Sequence, residues 1–407
     1  MLRPVSSGQI LYPLLALLAV ASAGAFVFGR RRADSGVVAV FAVALLIAAY
    51  GAFVGANNPG MAQYLTAWAG GTLVYGAWVL GADRRLIAPL FCTIAWATIA
   101  LSMMIILYVG SQLGVIPSLL PQWLLEETGA GFNIEEGSTA IRLYGLSTLV
   151  AAAPMWVTAA LLPDHPYLPR RAVRILAGAS AAAAAMLGGR NAIVLVLVVV
   201  PVIIISGRAM LKKRPSLNIS PLAFLGGAVV ILASPLVWII ASENAAVQRT
   251  WSSIILFFSG QGQSERLEQI DRLVDGWSAS PLFGQGLGAT IPGYARSAER
   301  PWNFEMQYHL LLFQLGLVGI LLLAAMLITA GRTIAKGMRA DPSLMPIFIT
   351  ALAGAGGMLV ANATNPYLQA PGHMWALFLP LLVTNVATLW PLKLPVSVPQ
   401  EDTAIAR

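Results

Sequence analysis

Three short stretches of this 407-residue chain gather the side chains that could bind an anion or move a proton. The first is Gly188-Gly189-Arg190-Asn191, a cation set between two apolar runs. A charge there is costly unless it meets an anion or a polar cavity. The flanking glycines would let a bulky phosphate approach the backbone, and an arginine that snorkels to lipid headgroups is the plain alternative. The second stretch runs from Ser264 to Arg272 and on through Trp277. Leu267, Ile270, Leu273, Val274 and Trp277 recur on one helical face, which is expected to lie on the rest of the protein. Arg266 and Arg272 are six residues apart and cannot share a face closely, and internal Glu–Arg pairing on a solvated helix is their plain alternative. Arg249 is a further cation near the start of the same segment.

After this helix comes Gly284-Gln285-Gly286-Leu287-Gly288. No strand precedes it in a βαβ unit, so a dinucleotide site is a poor account, and a turn that brings backbone close to something is the better one. The third stretch is Pro301-Trp302-Asn303-Phe304-Glu305-Met306-Gln307-Tyr308-His309. If a helix starts near Asn303, Glu305 and His309 are i and i+4 on one face. Glu305 would then sit in the first turn, where the helix dipole favours a carboxylate. A capping carboxylate with an interfacial histidine, or a general base beside a polar partner, would each use those residues. Asp271 and Asp275 are also i and i+4, but no convergent acidic group accompanies them, so neither a metal nor another cofactor is expected.

The elements that must position these residues are membrane helices. Charged residues make up 10% of the chain and hydrophobic ones 58%, with a mean hydropathy of +0.76. A soluble protein would carry roughly 25% charged residues. The apolar blocks have the length needed to cross a bilayer, at about 9–29, 36–54, 62–82, 86–109, 144–162, 172–188, 191–206, 220–242, 309–330, 343–361 and 373–390. The expected fold class is an all-α polytopic membrane protein with about eleven transmembrane helices. Nothing alternates with period two over ten-residue stretches, which excludes a transmembrane β-barrel.

Every second loop is basic: Arg30 to Arg32; Arg84 and Arg85; Arg170, Arg171 and Arg174; Arg208 with Lys212 to Arg214; and Arg332, Lys336 and Arg339. With Lys393 and Arg407 these account for 17 of the 25 cations, and that face is expected to be cytoplasmic. The N-terminus would then lie outside and the C-terminus inside. The net charge of +8 comes from these loops, and no basic stretch is interleaved with aromatics, so nucleic acid is not an expected partner. Cys92 is the single cysteine, which rules out an intrachain disulfide framework. The organisation is one transmembrane domain over 1–392 and a cytoplasmic tail over 393–407. Two outer segments interrupt the helices. The first, 110–143, reads as a short interfacial helix followed by a polar loop. The second, 243–308, is long enough to be functional rather than idle.

Taken together, the three stretches resemble the O-antigen ligase and Wzy-type polysaccharide polymerase superfamily. The resemblance rests on Gly189-Arg190-Asn191, on Arg266 followed by Pro281-Leu282-Phe283-Gly284-Gln285-Gly286, and on Glu305 eleven residues before Gly316-Leu317-Val318-Gly319. Ligases usually carry His followed by Asn where this chain has Glu305-Met306, which looks more like the polymerases. The resemblance implies a metal-independent inverting glycosyltransferase in the bacterial inner membrane. It would join undecaprenyl-diphosphate-linked repeat units into O-antigen or exopolysaccharide at the periplasmic face. Arg190 and Arg266 would hold the diphosphate, with Arg249 and Arg272 as second choices. Glu305 would be the base, with His309 in reserve, and Gly284, Gly286 and Trp302 would belong to a glycan-binding loop. The expected partners are lipid-linked donor and acceptor, membrane lipids, a chain-length regulator and a flippase. A ligase moving finished glycan to lipid A core or protein is the alternative within the enzyme class. A lipid-linked sugar flippase is the alternative outside it.

Overall fold

A computed structural model describes residues 5–29, 32–112, 114–127, 130–135, 138–142, 145–187, 199, 200, 202, 203, 206, 264–363, 365–369 and 371–389. The expected site residues Arg190 and Arg249 lie outside the described residues, as do the span 220–242, most of 191–206 and the tail 393–407. The described helices are α1 Val5–Phe28, α2 Ser35–Val54, α3 Met61–Leu65, α4 Gly71–Gly81, α5 Arg84–Gln112, α6 Gln122–Glu127, α7 Leu149–Leu161, α8 Arg171–Leu187, α9 Ser264–Ser278, α10 Gln307–Ala340, α11 Met345–Ala361 and α12 Trp375–Leu389. A π-helical turn, Thr66–Gly70, joins α3 to α4. The other nine expected stretches each overlap one of these helices, 62–82 falling on α3, the π-helical turn and α4.

Four helical stretches are long and apolar enough to cross a membrane on their own: Ser35–Val54, Arg84–Gln112, Gln307–Ala340 and Pro342–Ala361. They also leave large apolar side chains uncovered, Phe53 at 85% exposure and Leu321 at 69%. Exposed apolar surface on helical stretches with so few charges suits lipid and not water. The architecture is that of a helical membrane protein.

Small residues set the packing. Ala151, Ala152 and Ala153 of α7 and Ala177, Ala181 and Ala184 of α8 are buried, and Gly178 of α8 lies against the α7 backbone at Trp156 and Val157. Without side-chain bulk the backbones approach closely, as membrane helices require in the absence of a hydrophobic drive between them. α2 packs along α10 over its length. α10 continues past the expected span 309–330 to Ala340, carrying Arg332, Lys336 and Arg339 beyond the apolar stretch.

The α2–α10 pair defines two ends of the bundle. At one end the buried carboxylate of Asp34 caps α2, accepting from the backbone N–H of Gly36 at 2.9 Å and of Val37 at 3.3 Å. The same carboxylate takes Lys336 Nζ at 2.5 Å. Arg84 pairs with Asp341 and donates to Tyr167 Oη at 2.7 Å. Arg174 is fully buried and donates to the carbonyls of Ala159, Leu162 and Pro163, the loose end of α7. The segments bearing Arg32, Arg84, Arg170 to Arg174 and Arg332 to Arg339 therefore gather at one end. The 20 residues of α2 span about 30 Å, and this carries the chain to the opposite end at Gly55.

Among the described residues the departure from an all-helical chain is a hairpin, Gly131–Glu135 against Ser138–Arg142. The segment expected as a polar loop after the interfacial helix α6 is this hairpin. Its register pairs Phe132 with Ile141 and Ile134 with Thr139, a local alternation that suits a pleated pair.

Candidate functional site

At the end of the bundle opposite the basic segments, the chain between α9 and α10 folds down onto the helices. Leu287, Ala289, Ile291 and Phe304 join Ile47, Tyr64, Trp68, Leu310 and Phe313 in one apolar cluster. Phe304 is fully buried, stacked on Tyr294 at 6.3 Å and set edge-on to Phe313 at 6.4 Å. Burying a whole aromatic ring anchors the loop strongly, and the next residue is Glu305.

Glu305 does not open a helix. α10 begins at Gln307, and Met306 at φ −75° and ψ 77° is outside helical geometry. The cause is Gln269 of α9, only 2% exposed, whose side-chain oxygen accepts from the backbone N–H of Glu305 at 2.8 Å and of Met306 at 2.9 Å. Gln369 grips the other side, donating to the Phe304 carbonyl at 2.9 Å. The expected i, i+4 relation of Glu305 and His309 on one helical face is therefore absent. His309 lies inside α10, and its Nδ1 is buried without a hydrogen-bond partner among the described residues.

With its backbone clamped, Glu305 presents its carboxylate to two arginines. Arg266 Nε lies 3.3 Å from Oε2, and a terminal guanidinium nitrogen of Arg296 lies 2.5 Å from Oε1. Arg266 and Gln269 are i and i+3 on α9, so one helical face supplies both the clamp and a cation. This corrects the expected packing face. Leu267 is 57% exposed, Val274 is also exposed, and the inward row is Arg266, Gln269, Ile270 and Leu273. Arg272 points elsewhere, paired with Glu268 at 3.7 Å on the exposed side.

The glycine motif lies between α9 and α10 in the chain. Gly284, Gly286 and Gly288 have φ of 73°, 80° and 71°, and Gly316 within α10 has φ 58°. At Gly316 the helix breaks and exchanges hydrogen bonds with the loop. In an unbroken helix the N–H groups of Leu317 and Val318 would donate to Phe313 and Gln314. Here they donate to the carbonyls of Pro281 and Leu282, each at 3.0 Å. The freed carbonyls of Phe313 and Gln314 accept from Gln285 N–H at 2.9 Å and Gly286 N–H at 2.8 Å. All four groups are thus satisfied, as buried backbone polar groups must be.

The loop continues over α2 and α3. Leu287 N–H donates to Gly51 at 2.9 Å, and Asn58 Nδ2 donates to the carbonyl of Gln285 at 2.7 Å. The backbone that Gly284 and Gly286 admit is the chain's own, that of α10 and of Gly55, and not a glycan's. Trp302 is likewise engaged internally: its ring covers Gly60 and its Nε1 donates to Gln63 at 3.2 Å. These three residues, expected in a glycan-binding loop, pack against α10, the end of α2 and α3.

Of the expected site residues, Arg266 and Glu305 meet, while Arg272 stays apart and His309 makes no bond to Glu305. Arg296 and Gln269 are residues that motif reasoning missed. Arg296 carried one signal, an arginine nine residues before Glu305 in the same segment between helices; Gln269 carried only its helical spacing from Arg266. Chemically, the arrangement offers two guanidinium forks for an anion and one carboxylate for a proton. Among the described residues no three His, Cys, Asp or Glu side chains converge in a set that could hold a metal ion. The chain matches no protein-family model and no curated protein.

Proposed function

We propose that this protein is an inner-membrane polysaccharide polymerase. In this reading eleven helices cross the bilayer, the basic end is cytoplasmic and the Glu305 site faces the periplasm. One observation carries it: Arg266, Glu305 and Arg296 converge at the end of the bundle away from the lysine- and arginine-rich segments. The contact between the loop Pro281–Gly286 and the break at Gly316 supports it further, because two of the three motif segments that carry the resemblance meet in space.

The donor is a glycan joined through its anomeric carbon to undecaprenyl diphosphate. The acceptor hydroxyl oxygen attacks that carbon from the face opposite the leaving group, its proton passes to Glu305, and the carbon–oxygen bond to diphosphate breaks. Positioned guanidinium groups stabilise the departing diphosphate, and arginine suits it because its fork reaches two oxygens and stays charged. Arg266 fills that role with Arg296 beside it, and Arg190 and Arg249 remain candidates from the sequence. A flippase would need ionisable groups near the bilayer midplane. The buried charged side chains among the described residues are Asp34, Arg174 and Asp341, all at the basic end, which favours the enzyme.

The test is a strain whose only copy is deleted, scored for lipid-linked glycans. A polymerase predicts accumulated single repeat units and no long chains. Long chains that stay on the carrier lipid would indicate a ligase, and absence of any periplasmic lipid-linked unit a flippase.

A further inference from the structure

Among the described residues, apart from the exposed pair Arg272–Glu268 on α9, the ion pairs fall into two kinds. At the basic end each has at least one deeply buried member: Asp34 and Asp341 are 4% exposed at the side chain and Arg174 is 0%. At the Glu305 site no member is deeply buried: Glu305 is 19% exposed, Arg266 32% and Arg296 41%. Ion pairs open to water are worth about 0–1 kcal/mol each, so this cluster is inexpensive to rearrange while the others are fixtures. Its geometry is also specific. Each carboxylate oxygen of Glu305 is taken by a different arginine, one on the rigid helix α9 and one on the loop 291–300. Two forks directed at one small planar anion form a template for any anion with oxygens at similar spacing.

We infer that Glu305 is a displaceable stand-in, and that a phosphate-bearing ligand takes its place between Arg266 and Arg296. This rests on the polymerase reading for the identity of the ligand, though not for the exchange itself. A diphosphate carries more negative charge than one carboxylate and offers more acceptor oxygens, so it wins the two guanidiniums when it arrives. Glu305 is then released at the moment the leaving group is held. Its backbone does not follow, because Gln269 and Gln369 fix the residues on either side. The carboxylate can turn only about its own side-chain bonds, toward solvent and an incoming hydroxyl. Donor binding therefore uncovers the base, and a site without donor keeps its base occupied.

The experiment uses the full-length protein in phosphatidylcholine nanodiscs, titrated with inorganic pyrophosphate. Removing the competing carboxylate should tighten binding, so Glu305→Gln is expected to bind about tenfold more tightly than the native protein. Arg296→Gln should lose most of the binding. Equal or weaker binding in Glu305→Gln, or no binding in any form, overturns the exchange. A second readout needs no variant: pyrophosphate should increase labelling of Glu305 by a water-soluble carbodiimide in the native protein, and unchanged or decreased labelling overturns the exchange. Repeating the titration in discs containing phosphatidylglycerol separates the sources. Lost pyrophosphate binding there identifies a lipid headgroup phosphate as the occupant, and retained binding a diphosphate; both leave the exchange standing. Exchange in these assays together with normal long-chain glycan in a deletion strain would overturn the polymerase reading alone.

Discussion

Gly284 and Gly316 pack so closely that neither position has room for a side chain. A Cβ on Gly284 would lie 2.5 Å from the Gly316 nitrogen, and one on Gly316 would lie 2.4 Å from the Gly284 nitrogen. Both residues also have positive φ, where an L-residue costs about 1–2 kcal/mol before any overlap. Gly284→Ala and Gly316→Ala are each expected to lower the melting temperature of the detergent-solubilised protein sharply and to reduce the monodisperse fraction. Gly331 lies inside α10 with nothing within 4 Å of the position a Cβ would take. Gly331→Ala should be neutral or stabilising by up to about 1 kcal/mol. Equal damage from all three would show that the bond exchange at Gly316 is not what holds the loop.

Acid should weaken the basic end first. Burial alone would raise the Asp34 carboxyl, but the Lys336 ammonium and the N–H groups of Gly36 and Val37 outweigh it and hold it below the usual carboxylate range. Asp341, also buried, is held low in the same way by Ser343 and Arg84. A carboxyl depressed by folding adds stability above its unfolded value, about 3.9, and loses it as pH falls through the lower folded value. Thermal stability should therefore fall on acidification below about pH 4. The fall should be shallower in Asp34→Asn combined with Asp341→Asn, a variant less stable at neutral pH. An identical acid limb in that variant would exclude both groups as its source.

Orientation has a direct test. Reporter fusions at Gly262 and Ala298 should read as outside, and fusions at Lys213 and Lys336 as cytoplasmic, because 17 of the 25 cations fall in one set of loops. A cytoplasmic signal at Ala298 would put the Arg296–Glu305 pair on the wrong side for a periplasmic donor.

The helices were legible because length and apolarity are local properties; α2, α5 and α11 begin and end within a few residues of expectation. The meeting of Arg266 with Glu305 was legible only as a motif order, since nothing in the spacing brings α9 to the start of α10. Three features escaped for one physical reason, that polar contacts between distant segments leave no periodic trace. Gln269 holds Glu305 out of the helix, against the local preference for a carboxylate in a first turn. The same glutamine and Arg266 turn α9 inward on a partly polar row, leaving Leu267 exposed. Arg296 lies in an irregular loop, where sequence pattern assigns no direction to a side chain. The spacing of the glycines indicates a close approach, and only the structure supplies Gly316 and Gly55 as what they approach.

The proposed role of Glu305 is to take the proton in glycan elongation. It is tested most directly by reconstituting the purified protein in liposomes with undecaprenyl-diphosphate-linked repeat units and following chain length over time. The native protein is expected to build chains, and Glu305→Gln to slow elongation by roughly 10²–10⁴-fold, because the amide keeps the shape but accepts no proton. His309→Ala should cost less. Elongation by Glu305→Gln at the native rate would show that Glu305 is not the base.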